Sequence, residues 1–269
     1  MSKKYYDAKI KYFDDSHFKI SLYSYRNAYD YELNECQYKP FEQLQMEFKE
    51  TKDKSLGEMI SDIKRSVVVS QNRAKNKIYD YARCNDFDYF VTMTFDPQKV
   101  DSFDYTECSK KLSKWLNHMR ERYAPDLKYL FVPELHKSGR YHFHGLIANI
   151  GNIQMVDSGK RSNGQVVYNI GNYNYGFTTA TRIVDKHRTS TYIGKYITKE
   201  LSGHIKGKKH YWVSRNLNVP NEELLTLSEL SAMGIDRDFL ESNSVYTKEV
   251  EYVVGGIERK VTYYEFERQ

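Results

Sequence analysis

The stretch R-Y-H-F-H-G-L-I-A-N, residues 140–149, decides how this chain reads, because it places His142 and His144 two residues apart in a run with strand character. Strand side chains alternate in direction, so the two imidazoles point the same way, while Phe143 and the Leu146-Ile147 pair supply burial. Upstream, Y-L-F-V-P-E-L-H-K-S-G (129–139) puts Glu134 on another short strand, with Lys137-Ser138-Gly139-Arg140 as the turn between them. Two imidazoles and a carboxylate from paired strands form a donor set suited to a divalent cation. His136 lies near Glu134 and is a further candidate, read here as a supporting or surface residue. A His-x-His pair alone is more often two satisfied imidazoles than a metal site, so the rest of the chain must decide.

The 269 residues exceed one average domain and are enough to bury a core. A net charge of +5 permits a nucleic-acid partner without requiring one. Cys36, Cys84 and Cys108 are widely spaced with no C-x-x-C pair, which argues against a structural zinc site. With no secretory leader, lone thiols point to a reducing, cytoplasmic setting. No apolar run approaches the roughly 20 residues of a spanning helix, so no membrane partner is expected.

Alternation in A-K-I-K-Y-F and H-F-K-I-S-L-Y-S-Y, split by Asp14-Asp15-Ser16, predicts an N-terminal hairpin. A charged, mostly helical stretch follows, its basic residues bunched between Lys64 and Lys77 and read as a solvated face. D-Y-F-V-T-M-T-F-D-P (88–97) is strand-like, and Leu112, Trp115, Leu116 and Met119 mark the buried side of a helix. After the histidine strand come a hairpin-like insertion with its turn at Lys160-Arg161, a strand in Y-G-F-T-T-A-T-R-I-V, and a short helix in T-S-T-Y-I-G-K-Y-I-T-K-E-L-S-G. That helix has Ser/Thr available as N-cap and Ser202-Gly203 as its stop. A further helix is expected near Glu222–Ala232, and a terminal hairpin turns at Gly255-Gly256. The order is β-α-β-β-β-α with extra hairpins, an α+β fold around one antiparallel sheet. The expected division is an N-terminal accessory region at 1–87, a core at 88–205 and a C-terminal accessory segment at 206–269.

The short helix carries Tyr192-Ile-Gly-Lys195 followed by Tyr196-Ile-Thr-Lys199. At about 100° per residue both tyrosines and both lysines share one arc, with Ile193, Ile197 and Leu201 beside them for burial. A phenol is a weak nucleophile, needing a charge-neutralised phosphorus to attack. Lysines that orient phosphate and a cation that polarises it would supply that setting.

F-V-T-M-T-F (90–95), E-L-H-K-S-G-R-Y-H-F-H-G-L (134–146) and Y-I-G-K-Y-I-T-K-E (192–200), in that order, resemble the three motifs of HUH endonucleases. The paired tyrosines are most similar to the rolling-circle replication initiators of small single-stranded DNA phages and related mobile elements. The resemblance implies a central antiparallel sheet of ferredoxin-like or RNA-recognition-like type, helices on its faces, and the histidines on a middle strand. It implies Mg2+ or Mn2+ on His142, His144 and Glu134, and a 5′-phosphotyrosine bond at Tyr192 or Tyr196, with Lys195 and Lys199 assisting. Thr92 and Thr94 fall in the first motif, adjacent to the site. Arg140, Lys160 and Arg161 are candidate DNA contacts. The implied partners are single-stranded or hairpin origin DNA, a helicase (no Walker phosphate loop occurs here) and a DNA polymerase. Competing readings are a one-tyrosine relaxase or transposase, a non-catalytic nucleic-acid-binding protein whose aromatics stack bases, and a hydrolase using metal-bound water.

Overall fold

The computed structural model describes residues 3–30, 35–36, 56–198, 201, 204–205, 207–254 and 257–267. Its elements run β1 (Lys3–Tyr12), β2 (His17–Asp30), β3 (Glu35–Cys36), α1 (Leu56–Arg83), β4 (Tyr89–Met93), α2 (Tyr105–Arg122), β5 (Lys128–Leu135) and β6 (Tyr141–Ala148). Then follow β7 (Met155–Ser162), β8 (Gln165–Ile170), β9 (Thr178–Arg182), α3 (Lys186–Ile193), a 3-10 turn (Gly194–Tyr196) and β10 (Trp212–Val213). β11 (Asn221–Leu225), α4 (Leu227–Ala232), α5 (Arg237–Asn243), β12 (Tyr246–Val254) and β13 (Ile257–Glu267) complete the chain. Two compact units result: Ile60–Val219, and Met1–Met59 together with Pro220–Gln269. The architecture is α+β, with two antiparallel sheets where one was expected, and is consistent with an HUH-like fold.

The terminal unit joins both ends of the chain. The expected hairpins β1–β2 and β12–β13 meet through a β2–β13 ladder, giving the order β11-β1-β2-β13-β12. Asp14 shapes the first turn by accepting from the Ser16 and His17 amides at 2.9 and 2.8 Å. One face buries Ala8, Ile10, Ile20, Tyr264 and Phe266 against Leu230 and Leu240 of α4 and α5. The expected helix over Glu222–Ala232 is corrected: Asn221–Leu225 is a strand paired with β1, and α4 begins only at Leu227, behind Thr226, which forms a capping box with Glu229. Glu and Leu suit helices, but the open edge of β1 decides. The Gly255-Gly256 turn lies outside the described residues.

The other unit holds a sheet in the order β10-β5-β6-β4-β9-β8-β7. α2 starts at Asp104, whose side chain accepts from the Thr106 amide, and buries Leu112, Trp115, Leu116 and Met119 as its periodicity predicted. These pack on the sheet face of Phe131, Phe143 and Trp212, where Trp115 meets Phe131 edge-on and Trp212 donates to Ser113 of α2 at 3.1 Å. At the β7–β8 tip, Asn163 and Gly164 have φ of 50° and 78°, the positive values of a tight hairpin turn. Lys160 and Arg161 therefore sit on β7 before the turn rather than in it.

Gly145 lets β6 carry this core on one side and histidines on the other. A Cβ there would lie 2.3 Å from the Phe131 ring. Gly145→Ala should destabilise the protein by about 1–3 kcal/mol through overpacking. Thermal denaturation checks this, and Phe131→Leu in the same chain should restore most of the loss.

Candidate active site

Strand register builds the site. Glu134 of β5 lies directly opposite His142 of β6, and His144 lies opposite Thr92 of β4, so all four share one face. His144 Nε2 is 2.8 Å from Glu134 Oε2, and His144 Nδ1 is 3.1 Å from Thr92 Oγ1. A carboxylate only accepts, so a neutral His144 donates from Nε2 and its Nδ1 accepts from the Thr92 hydroxyl. His142 Nδ1 stands 3.9 Å from the same Glu134 oxygen. His136 stacks on the His142 ring at 5.0 Å and is tied at Nδ1 to the Ser138 hydroxyl, a supporting position.

The hydrogen bond from His144 holds the Glu134 carboxyl below its ordinary value, against the opposing effect of burial. Burial, then the neighbouring His136, pushes the His142 imidazole down. Both effects favour a neutral ring beside an ionised carboxylate, the protonation states that ligate a cation. One oxygen within 4 Å of two imidazole nitrogens matches a mixed nitrogen–oxygen set for Mg2+ or Mn2+ in donor type and convergence. Among the described residues, no three His, Cys, Asp or Glu side chains form a closed metal-binding group.

The tyrosine helix needs correction. α3 starts at Lys186, with Asp185 as N-cap accepting from the Arg188 amide, and its α-helical part ends at Ile193. Gly194–Tyr196 continue as a tighter 3-10 turn. Both tyrosines still share a side: their rings lie 5.5 Å apart and the Tyr196 hydroxyl donates to the Tyr192 oxygen at 3.0 Å. Tyr196 stacks flat on His144, centroids 3.6 Å apart, and both tyrosines rest against Phe90 of β4. Burial first, then Tyr192 and Glu134, raises the Tyr196 phenol above its ordinary value. Tyr192 is the more accessible ring, 44 % exposed.

Lys195 lies over the Tyr192 ring at 5.4 Å. Lys199 and the Ser202-Gly203 stop lie outside the described residues. Thr94 donates to the Phe177 carbonyl at 3.2 Å, and Arg140 covers the Phe103 ring at 5.4 Å. Lys160 and Arg161 are not brought to the histidines: β7 is four strand spacings from β6, about 19 Å, and Arg161 pairs with Asp157 at 3.1 Å. Two residues escaped sequence reasoning. Phe90 forms the floor beneath both phenols, and buried Gln71 of α1 donates to the Ile197 carbonyl at 2.8 Å, anchoring the tyrosine segment. Phe90 was legible as the residue two before Thr92 on the same strand face, whereas Gln71 carried no local signal.

Residues 88–201, the stretch that builds this face, match a family model for replication-associated proteins of the ORF2 type. The matched span contains Thr92, Glu134, both histidines and both tyrosines, and it supports a role in replication initiation. Searches of curated proteins and of solved structures found no match. No helix among the described residues is long and apolar enough to cross a membrane.

Because Glu134 has a depressed folded pKa, its contribution to stability is complete above the ordinary value of 4.5 and lost as pH falls through the folded value. Urea unfolding across that range should show the wild type losing more stability on acidification than Glu134→Ala. Parallel curves would mean that the His144 contact does not stabilise the fold.

Proposed function

We propose that this protein nicks and rejoins single-stranded DNA by tyrosine transesterification, initiating and terminating rolling-circle replication. The observation that carries the reading is the stack of Tyr196 on His144, with Tyr192 hydrogen-bonded to it. It brings phenols from one end of the matched region onto an imidazole–carboxylate pair from the middle.

A divalent ion held by His142, His144 and Glu134 would polarise the scissile phosphate as a Lewis acid. For His144 to bind through Nε2 its proton must move to Nδ1, and the Thr92 hydroxyl is placed to accept from it there, fixing the ring. A tyrosine oxygen attacks phosphorus, losing its phenolic proton. The bond to the 3′ oxygen breaks, that oxygen takes up a proton, and the 5′ phosphate remains on the tyrosine. Attack by a 3′ hydroxyl reverses the step and joins ends, so no external energy source is needed. Lys195 neutralises phosphate charge beside Tyr192.

Two phenols 5.5 Å apart allow a second cut while the first tyrosine is still occupied. Tyr192, accessible and accepting from its neighbour, is placed for the first attack. Single-stranded origin-type hairpin DNA with Mn2+, resolved on a denaturing gel, tests this. The wild type should form a covalent adduct. Tyr196→Phe should keep a first cleavage but fail at repeated cut-and-join cycles, Tyr192→Phe should cleave more slowly through Tyr196, and the double variant should form none. His142→Ala and His144→Ala should abolish cleavage yet retain DNA binding, since affinity comes from phosphate contacts. Full adduct formation by the double variant, or cleavage without any adduct, would contradict the mechanism.

A further inference from the structure

We infer that Phe177 is a base-stacking residue that positions single-stranded DNA across the histidine face. The inference rests on the reading above that such a strand crosses this face. Phe177 is 79 % exposed, at the start of β9. The β4–β9 register pairs Met93 with Thr178, and the Thr94 amide donates to the Phe177 carbonyl at 2.9 Å. Continued by that residue, the register sets Phe177 beside Thr94, and the β4–β6 and β5–β6 registers carry the same row to His142 and Glu134. Directly opposed residues share a face, so the Phe177 ring rises on the side that holds His142, two strand spacings or about 10 Å away. That is the reach of the base on a nucleotide neighbouring the one bound at the histidines.

A lone exposed phenylalanine is ordinary on a protein surface. Phe177 differs in that its backbone is clamped. The Thr94 hydroxyl adds a second bond to the Phe177 carbonyl, the Asp96 amide donates to Tyr175 O at 2.8 Å, and the Tyr173 hydroxyl donates to Thr94 O at 3.1 Å. Gly176 lies so close that a Cβ would sit 2.2 Å from Thr94 O. The chain therefore holds a large apolar ring in water on a fixed support, at one end of the row that contains the candidate catalytic groups. A pre-positioned aromatic face takes any base with little ordering cost, which suits an enzyme that must hold a strand while a phosphate is attacked.

The test compares binding of the full-length protein to fluorescein-labelled oligo(dT) and to an abasic oligomer of equal length, by anisotropy. Phe177→Ala should weaken oligo(dT) binding roughly 5- to 150-fold, and Phe177→Trp should retain it. The penalty should vanish on the abasic oligomer, and the salt dependence should be unchanged because phosphate contacts remain. Equal affinity of Phe177→Ala and wild type for oligo(dT), or an equal loss on both oligomers, would overturn the proposal. Adduct formation with Mn2+ is scored in parallel. Unchanged affinity with intact adduct formation would overturn stacking alone. A base-dependent loss with no adduct from the wild type would overturn the nicking reading and support stacking.

Discussion

The pairing of β5, β6 and β4 is the constraint on which the site depends. It sets Glu134 against His142 and His144 against Thr92, and from it follow the two hydrogen bonds that fix the His144 ring. Strand side chains repeat every two residues, so a slip of one would turn both histidines onto the α2 side and bring Phe143 to the open face. The cost of that slip is large. Phe131 and Phe143 are fully buried against α2, and Gly145 fits beneath Phe131 only in the observed register. The core on one side of β6 thus determines the chemistry available on the other.

The phenols depend on the same register at one remove. Ile193 and Ile197 are completely buried and Gln71 holds the Ile197 carbonyl, so the tyrosine segment is fastened on its inner side. Its outer side leaves Tyr196 on His144 and Tyr192 towards solvent. The 3-10 turn at Gly194–Tyr196 keeps residues three apart eclipsed, which brings Lys195 over the Tyr192 ring.

Much of this was legible in the chain because it rests on short-range periodicity. His-x-His on a strand, Glu134 across a four-residue turn and Tyr192 one turn before Tyr196 all follow from local geometry. What escaped depends on partners distant in sequence. Asn221–Leu225 reads as helix and became strand because β1 has an edge to pair. α3 begins at Asp185, before the Ser/Thr residues that looked like its cap, because Asp185 accepts from the Arg188 amide. Lys160 and Arg161 looked near the site along the chain, yet three strands separate β7 from β6. Gln71 and Phe177 have no sequence signal of their own; their roles arise from register and packing.

The central claim is that the register assembles a cation site from Glu134, His142 and His144. Titration with Mn2+ followed by electron paramagnetic resonance of the free ion measures it without reference to DNA or activity. The account predicts one bound Mn2+ per chain, weakened strongly in His142→Ala, His144→Ala and Glu134→Ala alike, with the folds of all three intact by circular dichroism. Mn2+ binding that is absent in the wild type, or unchanged in the three variants, would contradict it.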